Sequence, residues 1–208
     1  MLYLAPEGVI SPDGRLQPFR SGLRQILMSA EVPVRLQAAC IVCDFMRPGR
    51  LRVHLTVGED RESPTGAPAE AEAVARRAIA ALHLMTPSQV VSQVAWEAIG
   101  SGKEAIAAGS LRAAAREWAA DLQSRGIRVD PALLGTTATA RIDDWMRYVV
   151  RKGWAALQGD ELRLAVDRLL AAPVTHWENP IRYGVNEVQS VLRALAPAPV
   201  APVRAASP

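Results

Sequence analysis

Lysine, cysteine, histidine and long apolar runs are all scarce in this chain of 208 residues. No window holds 18 uninterrupted apolar residues, and Met1 is not followed by a basic and then an apolar segment, so the sequence predicts neither a membrane-spanning helix nor a signal peptide. Only Lys103 and Lys152 are lysines, and the net charge is +3. This balance predicts a cytoplasmic globular chain with at most a modest affinity for anionic lipid head groups.

The two cysteines, Cys40 and Cys43, have the Cys-x-x-Cys spacing of many metal and redox sites. In a strand, residues three apart point to opposite faces, so these thiols could not share a metal ion or close a disulfide. The chain has no second pair to complete a zinc site. We therefore expect structural thiols, no metal and no bound cofactor.

The most informative segment is the N-terminal one. An apolar start, Leu2-Tyr3-Leu4, leads into Ala5-Pro6-Glu7-Gly8-Val9-Ile10-Ser11-Pro12-Asp13-Gly14-Arg15-Leu16 and then Pro18-Phe19-Arg20-Ser21-Gly22. This pattern is typical of a buried parallel strand that feeds a polar loop and a helix. In open α/β sheets, ligand loops usually follow the carboxyl ends of such strands, so the pattern predicts a site near Glu7.

The segment resembles the third signature block of the glycerolipid acyltransferases (glycerol-3-phosphate and 1-acylglycerol-3-phosphate O-acyltransferases). The family pattern is Phe-Pro-Glu-Gly-Thr-Arg-Ser, a Gly within polar residues, then Phe, a basic residue and Gly. The matching positions are Pro6, Glu7, Gly8, Ser11, Gly14, Phe19, Arg20 and Gly22, whereas Val9 and Ile10 replace the Thr and the Arg. Two predicted strands, at residues 32–44 and 51–58, and the turn Pro48-Gly49-Arg50 between them extend the resemblance over roughly the first 60 residues.

The resemblance implies transfer of a fatty acyl group from a thioester, acyl-CoA or acyl carrier protein, to a glycerol-phosphate or lysophospholipid acceptor. It implies a role in phospholipid biosynthesis at a membrane surface, where the protein would be peripheral. The substrate-binding residues would be Glu7, Gly8, Ser11 and Arg20: Glu7 accepts hydrogen bonds from hydroxyls, Gly8 allows close backbone approach, and Arg20 offers charge to a phosphate. Arg15 or Arg24 are alternatives to Arg20.

The catalytic block of this family, His-x4-Asp, is missing from the sequence. It would precede the Pro-Glu-Gly loop, and none of the three histidines reproduces it: Glu59 follows His54 at the right distance, but His54 lies after the loop. We interpret His54 as an edge-strand histidine beside a loop carboxylate. We expect the chain to be the C-terminal part of an acyltransferase and inactive as it stands, because general base catalysis typically contributes about 10²–10⁴-fold. A non-catalytic acyltransferase-like binding protein is the alternative.

The predicted fold class is α/β: a partial acyltransferase sheet with flanking helices, then a mainly helical, winged-helix-like domain. The predicted units are the acyltransferase part (1–60), a linker and helix (61–84), a helical tail domain (85–195) and a disordered Pro/Ala tail (196–208). Helices are predicted at 69–84, 88–99, 110–125, 139–152 and 180–195 from apolar periodicity and from caps. Residues 154–166 predict a β-hairpin around Gly159.

Three helices and a hairpin are also typical of a DNA-binding regulator, which is the competing class of function. However, the third of these helices mixes Arg141, Arg147 and Arg151 with Asp143 and Asp144, which leaves no clean basic face for phosphates, so we expect no nucleic-acid partner. Residues 177–186 are dense in aromatic and polar groups. We interpret them as the start of a capped helix docked through Trp177, Ile181, Val188 and Leu192.

Overall fold

The computed structural model describes residues 11–32, 34–46, 51–62 and 68–196. The predicted strand at Leu2-Tyr3-Leu4 and the site residues Glu7 and Gly8 lie outside these ranges, as does the tail from Pro197 onward. The described residues form a mixed α and β structure with two antiparallel sheets. In chain order, its elements are α1 (Ser21–Ser29), β1 (Arg35–Asp44), β2 (Arg52–Glu62), α2 (Pro68–Leu82), α3 (Pro87–Gly100), β3 (Ala105–Ala107), α4 (Ala108–Ser124), α5 (Pro131–Leu134), α6 (Ala138–Arg151), β4 (Ala155–Gln158), β5 (Glu161–Leu164), α7 (Val166–Ala171) and α8 (Pro180–Leu195).

The strands β1 and β2 pair antiparallel, with Ile41 opposite Leu55 and Val42 opposite His54. The sequence analysis gave no direction of pairing for these two strands. Only residues 45–51 connect them, and a parallel crossover needs about a dozen residues or more. The second strand also runs on to Glu62, so residues 61 and 62 belong to the sheet and not to the predicted linker.

The two faces of this hairpin differ. Cys40, Val42 and Asp44 on the inner face are buried against the helices. On the outer face, Ile41 and Leu55 are 68% and 66% exposed. An apolar outer face and a partly polar inner face reverse the alternation that is usual in a sheet with one solvated side.

The helices of the C-terminal part match their predictions closely. Thr86 caps α3 through a complete capping box with Gln89, and Pro87 occupies the first turn. The backbone after α4 and after α6 turns through Gly126 and Gly153, whose φ values of 76° and 70° suit a residue without Cβ. Core side chains of α3, α4, α6 and α8 meet in one cluster, which includes Leu111, Ile142, Trp145, Ile181 and Val188.

The predicted hairpin forms from β4 and β5, and β3 adds to it in the order β3-β5-β4. The sequence analysis missed β3 because three residues, Ala105–Ala107, show no detectable period. It also missed the short helices α5 and α7. The helix α8 spans the predicted residues, but Trp177 is 79% exposed, so its predicted docking is wrong. Trp177 precedes the cap residue Asn179 and lies outside the periodic apolar face of the helix.

Candidate functional site

The described part of the resemblance segment is a tight polar loop. The Ser11 hydroxyl donates to the carbonyl of Arg15 at 2.7 Å. The Asp13 carboxylate accepts from the Arg15 amide at 3.1 Å and from the Gln17 side chain at 3.2 Å. Ser11 therefore braces the loop through its hydroxyl, a role that the sequence analysis did not foresee for this predicted substrate-binding residue.

Arg20 lies at the other end of the segment, exposed and immediately before α1. Its neighbour Phe19 packs against the Arg76 guanidinium of α2, 5.6 Å from the ring centroid. Arg76 also donates to the Leu16 carbonyl at 2.8 Å. Ser11 is thus held within the loop itself, whereas Arg20 is the residue before the first turn of α1.

The loop is seated on α8. The Asn186 amide donates to the Asp13 carbonyl at 2.8 Å, and the Tyr183 hydroxyl lies 3.5 Å from the Ser11 carbonyl oxygen. Gly14 has φ of 79°, and a Cβ added there would lie 2.4 Å from the Tyr183 carbonyl oxygen. Only glycine fits this position, because both the backbone conformation and the close approach exclude a side chain.

A chain of buried polar groups continues from the loop into the core, and we call it the Gln89 relay: Cys40, His83, Gln89 and Glu187. Gln89 Nε2 donates to Glu187 Oε2 at 2.8 Å, while Gln89 Oε1 accepts from the Thr86 amide at 2.9 Å and lies 3.3 Å from His83 Nε2. Since the same oxygen accepts both bonds, His83 Nε2 carries the proton. His83 Nδ1 then faces the Cys40 thiol, 4.0 Å away.

The surroundings of the relay shift the pKa values of two of its ionisable groups, Glu187 and His83. Burial raises the pKa of Glu187 to about 7, although the hydrogen bond from Gln89 opposes the rise. Burial lowers the pKa of His83 to about 4, again against the hydrogen bond with Gln89. Both groups therefore favour their neutral forms, which suits an inward-facing chain of hydrogen bonds.

A second polar cluster joins the inner face of the hairpin to the helices. The Ser88 hydroxyl donates to the Asp44 carboxylate. Asp130, which caps α5, accepts from Arg52 at 3.2 Å and lies 3.9 Å from His54 Nε2. Burial raises the pKa of Asp44, the Ser88 hydrogen bond opposes that rise, and the nearby Asp130 charge adds to it.

The sequence analysis missed this cluster. It placed His54 beside Glu59, but in the structure the His54 ring nitrogen Nε2 lies 3.9 Å from the carboxylate of Asp130, 76 positions along the chain. Within the described ranges, this buried nitrogen makes no hydrogen bond. The two strands carry a usable signal, because Asp44, Arg52 and His54 all fall on the inner face at period two.

Neither cluster is built to hold a metal ion: the described residues contain no group of three or more His, Cys, Asp or Glu suited to one. Neither Cys40 nor Cys43 is in a disulfide, and the first is buried and the second half-buried. A cleft of about 410 Å³ lies between the C-terminal ends of α2, α4 and α8, lined by Arg125, Arg128 and Leu192 among others, and neither Ser11 nor Arg20 lines it.

Comparison with known proteins adds no relative. No protein-family model, curated protein or solved structure matches the chain. Within the residues that the structure describes, no helix has the length and apolar character needed to cross a bilayer.

Proposed function

We propose that this chain is an acyltransferase-like protein that binds a glycerol-phosphate or lysophospholipid acceptor through the loop that begins at Pro6-Glu7-Gly8. The observation that carries the proposal is the loop itself: the matched residues Ser11 and Gly14 form a braced turn on α8. Gly14 cannot be replaced there without a clash. The strict geometry at two matched positions supports a shared role for the segment.

The acceptor would be recognised by a small set of groups. Glu7 would accept hydrogen bonds from the glycerol hydroxyls, and the backbone at Gly8 would approach the ligand closely. Arg20 is exposed, and its guanidinium would be the group that binds a phosphate, for which its shape is well suited. The acyl donor in the complete reaction would be acyl-CoA or acyl carrier protein, and a lipid acceptor would bring the protein to a membrane surface.

The test is equilibrium binding of glycerol-3-phosphate and of lysophosphatidic acid, measured by titration calorimetry. We expect Glu7→Gln and Arg20→Gln each to weaken binding by about tenfold, because each removes one charged partner of the ligand. Arg116→Gln is the matched control, since Arg116 is also an exposed arginine and lies on α4, outside the loop. Absence of binding by the unchanged chain would refute the proposal.

Acyl transfer by this chain is expected to stay at background, because the sequence contains no His-x4-Asp block to act as general base. The assay follows transfer of a radiolabelled acyl group from acyl-CoA to lysophosphatidic acid. If the chain does turn over substrate, and turnover survives removal of each of the three histidines in turn, the assignment of a histidine as the general base would be refuted.

The C-terminal part supports a second proposal, that residues 87–164 form a winged-helix-like module. Three helices, α3, α4 and α6, are followed by a hairpin, and β5 of that hairpin pairs with β3, the strand between the first two helices. This order is typical of winged helices.

The charges on α6 argue against DNA as the partner of this module. Arg112 pairs with Asp143 at 2.8 Å, and Arg141 and Arg147 both pair with Asp144. The helix that would enter the major groove is α6, and most of its arginines are thus paired with carboxylates of the same molecule. We expect no salt-dependent binding to a fluorescent DNA duplex; measurable binding that weakens steeply with salt would favour the regulator instead.

A further inference from the structure

The cleft at the C-terminal ends of α2, α4 and α8 has walls that are tied to one another. The backbone amide of Met85, which follows α2, donates to the Arg128 carbonyl at 2.8 Å, and the Asp130 amide donates to the Met85 carbonyl at 2.9 Å. On another side, the Arg77 guanidinium of α2 donates to the carbonyl of Ala196, just after α8, at 3.2 Å. The residues after α4 and α8 are thus both bonded to α2 or its end, so the space of about 410 Å³ between them is preformed. That volume lies within the range of about 300–1,000 Å³ that is common for small-molecule sites.

The walls of the cleft are mainly apolar. Their apolar members are Ala80, Ala81, Ile127, Leu192, Leu195 and Ala196. The helix ends carry partial negative charge, but that field is screened by solvent and falls off within the last turn. Capping bonds also occupy carbonyls there: the Ile127 amide donates to Leu122 and the Ala196 amide to Leu192, both at 3.0 Å. The interior of the cleft therefore suits an aliphatic chain better than a polar body.

The charged side chains at the cleft are all of one sign. Arg125 and Arg128 line it, both are exposed, and none of the described residues that line it is acidic. Asp121 pairs with Arg125 at 3.2 Å, whereas no carboxylate in the described ranges pairs with Arg128. His83 also lines the cleft, but it is neutral near pH 7 because burial lowers its pKa to about 4. One positive charge is left without a partner, which suits a head group with a single negative charge.

We infer that this cleft binds a small aliphatic carboxylate, with its chain between the apolar walls and its carboxylate at Arg128. A guanidinium suits a carboxylate because it can donate two parallel hydrogen bonds to it. The apolar walls favour a chain over a bare anion, and the charge favours an acid over an alcohol of the same length. The inference does not depend on the proposed acceptor site, since neither Ser11 nor Arg20 lines the cleft.

The probe is octanoate, measured by titration calorimetry at pH 7, with acetate and 1-octanol as matched ligands. Acetate keeps the head group without the chain, and octanol keeps the chain without the charge. We expect octanoate to bind with a Kd of about 1 mM or below, and each matched ligand to bind at least about tenfold more weakly. Added salt should weaken octanoate binding, because its partner Arg128 is exposed. The methyl resonances of Ile127 should shift with octanoate, which places the ligand in the cleft.

Two variants test the head-group site and the chain site separately. Arg128→Gln removes the charge and keeps the backbone carbonyl that Met85 uses, so we expect a folded chain that binds octanoate about tenfold more weakly. Arg116→Gln is its control, because Arg116 is an exposed arginine of α4 that does not line the cleft. Ala81→Trp adds bulk at an exposed position of the cleft wall and should abolish binding. Ala73→Trp, at an exposed position of α2 outside the cleft, should not.

The inference would be overturned if the unchanged chain did not bind octanoate at about 10 mM. Equal affinity of Arg128→Gln and the unchanged chain would also overturn it, and so would equal affinity for octanol and octanoate, which would mean an apolar cleft without an anion site. Binding that leaves the Ile127 resonances and the Ala81→Trp variant unaffected would place the carboxylate elsewhere and contradict the inference. None of these results bears on the acceptor site, which is tested with glycerol-3-phosphate.

Discussion

The hairpin of β1 and β2 and the helical part from α3 to α8 treat apolar residues in opposite ways. The helical part buries its large side chains completely, with Leu111 and Ile142 at 0% exposure, whereas the hairpin leaves Ile41 and Leu55 mostly exposed. Hydrophobic stabilisation is therefore concentrated in the helical part. The acyltransferase-like segment that we propose, however, lies in the first 60 residues and therefore outside that part.

The largest expected effect comes from a matched pair of leucine truncations, one in each of the two regions. We expect Leu111→Ala to lower the free energy of unfolding by about 2–5 kcal/mol, since it removes buried surface and leaves a cavity. Leu55→Ala should lower it by less than about 1 kcal/mol, because that side chain is already largely in water. Urea unfolding followed by circular dichroism measures both, and similar values for the two variants would show that the outer face is covered in solution.

The Gln89 relay predicts that the free energy of unfolding depends on pH. The folded-state pKa of Glu187 is raised to about 7, so its contribution to stability is full below the unfolded value of about 4.5 and is lost as pH rises through 7. Glu187→Gln should therefore raise the free energy of unfolding at pH 8 by about 1–3 kcal/mol, with a much smaller effect at pH 4.5. His83 titrates in the opposite sense, because its lowered pKa costs stability as pH falls from about 6.5 to about 4.

The difference between the variant and the unchanged chain, measured by urea unfolding at several pH values, isolates Glu187 from His83. A pH-independent difference would contradict the buried, neutral state of this carboxyl. Cys43, whose pKa is raised by burial and next by Glu187, is not expected to titrate in this range.

A smaller effect is expected at the junction of the two regions. Thr86→Ala removes the side-chain half of the capping box of α3, and such caps are worth about 0.5–2 kcal/mol. Thr86→Ser keeps the hydroxyl and is the control. Thermal unfolding should show a loss for the alanine variant that the serine variant largely recovers, and equal losses would mean that the methyl group, and not the cap, matters.

The smallest effect on stability concerns the outer face of the hairpin. Val53→Thr with Leu55→Thr should change the free energy of unfolding by less than about 0.5 kcal/mol, because threonine suits a strand and both positions are exposed. The same double variant should bind less of a hydrophobic fluorescent dye and aggregate less, since it breaks up an apolar patch. Unchanged dye binding would place the accessible apolar surface elsewhere.

Local signals in the sequence were sufficient for most of the helical part. Each of these signals acts within a single helix, so neighbouring residues determine it. They are the Thr86-Pro87 cap of α3, and the apolar stripe through Leu111 and Leu122 of α4 with Gly126 after its end. The direction of pairing of β1 and β2 was not predicted, because the sequence analysis did not use the shortness of the connection between them.

The period of the two strands places Asp44, Arg52 and His54 on one face, but the partners of these groups and of Gln89 lie far away in the chain and could not be read from neighbouring residues. His54 and Asp130 are brought together by the packing of a strand against the start of a helix, and Gln89 and Glu187 by the packing of α3 on α8. The predicted docking of Trp177 was wrong because its aromatic character suggested burial, whereas its place before the cap leaves it in solvent. Glu7 and Gly8 lie outside the described residues, so their assignment stays a prediction.

The fixed direction of the hydrogen bonds around Gln89 has a practical consequence for spectroscopy. Because its carbonyl oxygen must accept from both Thr86 and His83, the His83 ring is held as the tautomer with a proton on Nε2. The nitrogen resonances of a histidine distinguish its two tautomers, so a single isotope-labelled ring reports whether β1, α3 and α8 are assembled around it. One signal from the interior could thus follow the docking of the hairpin onto the helices in real time.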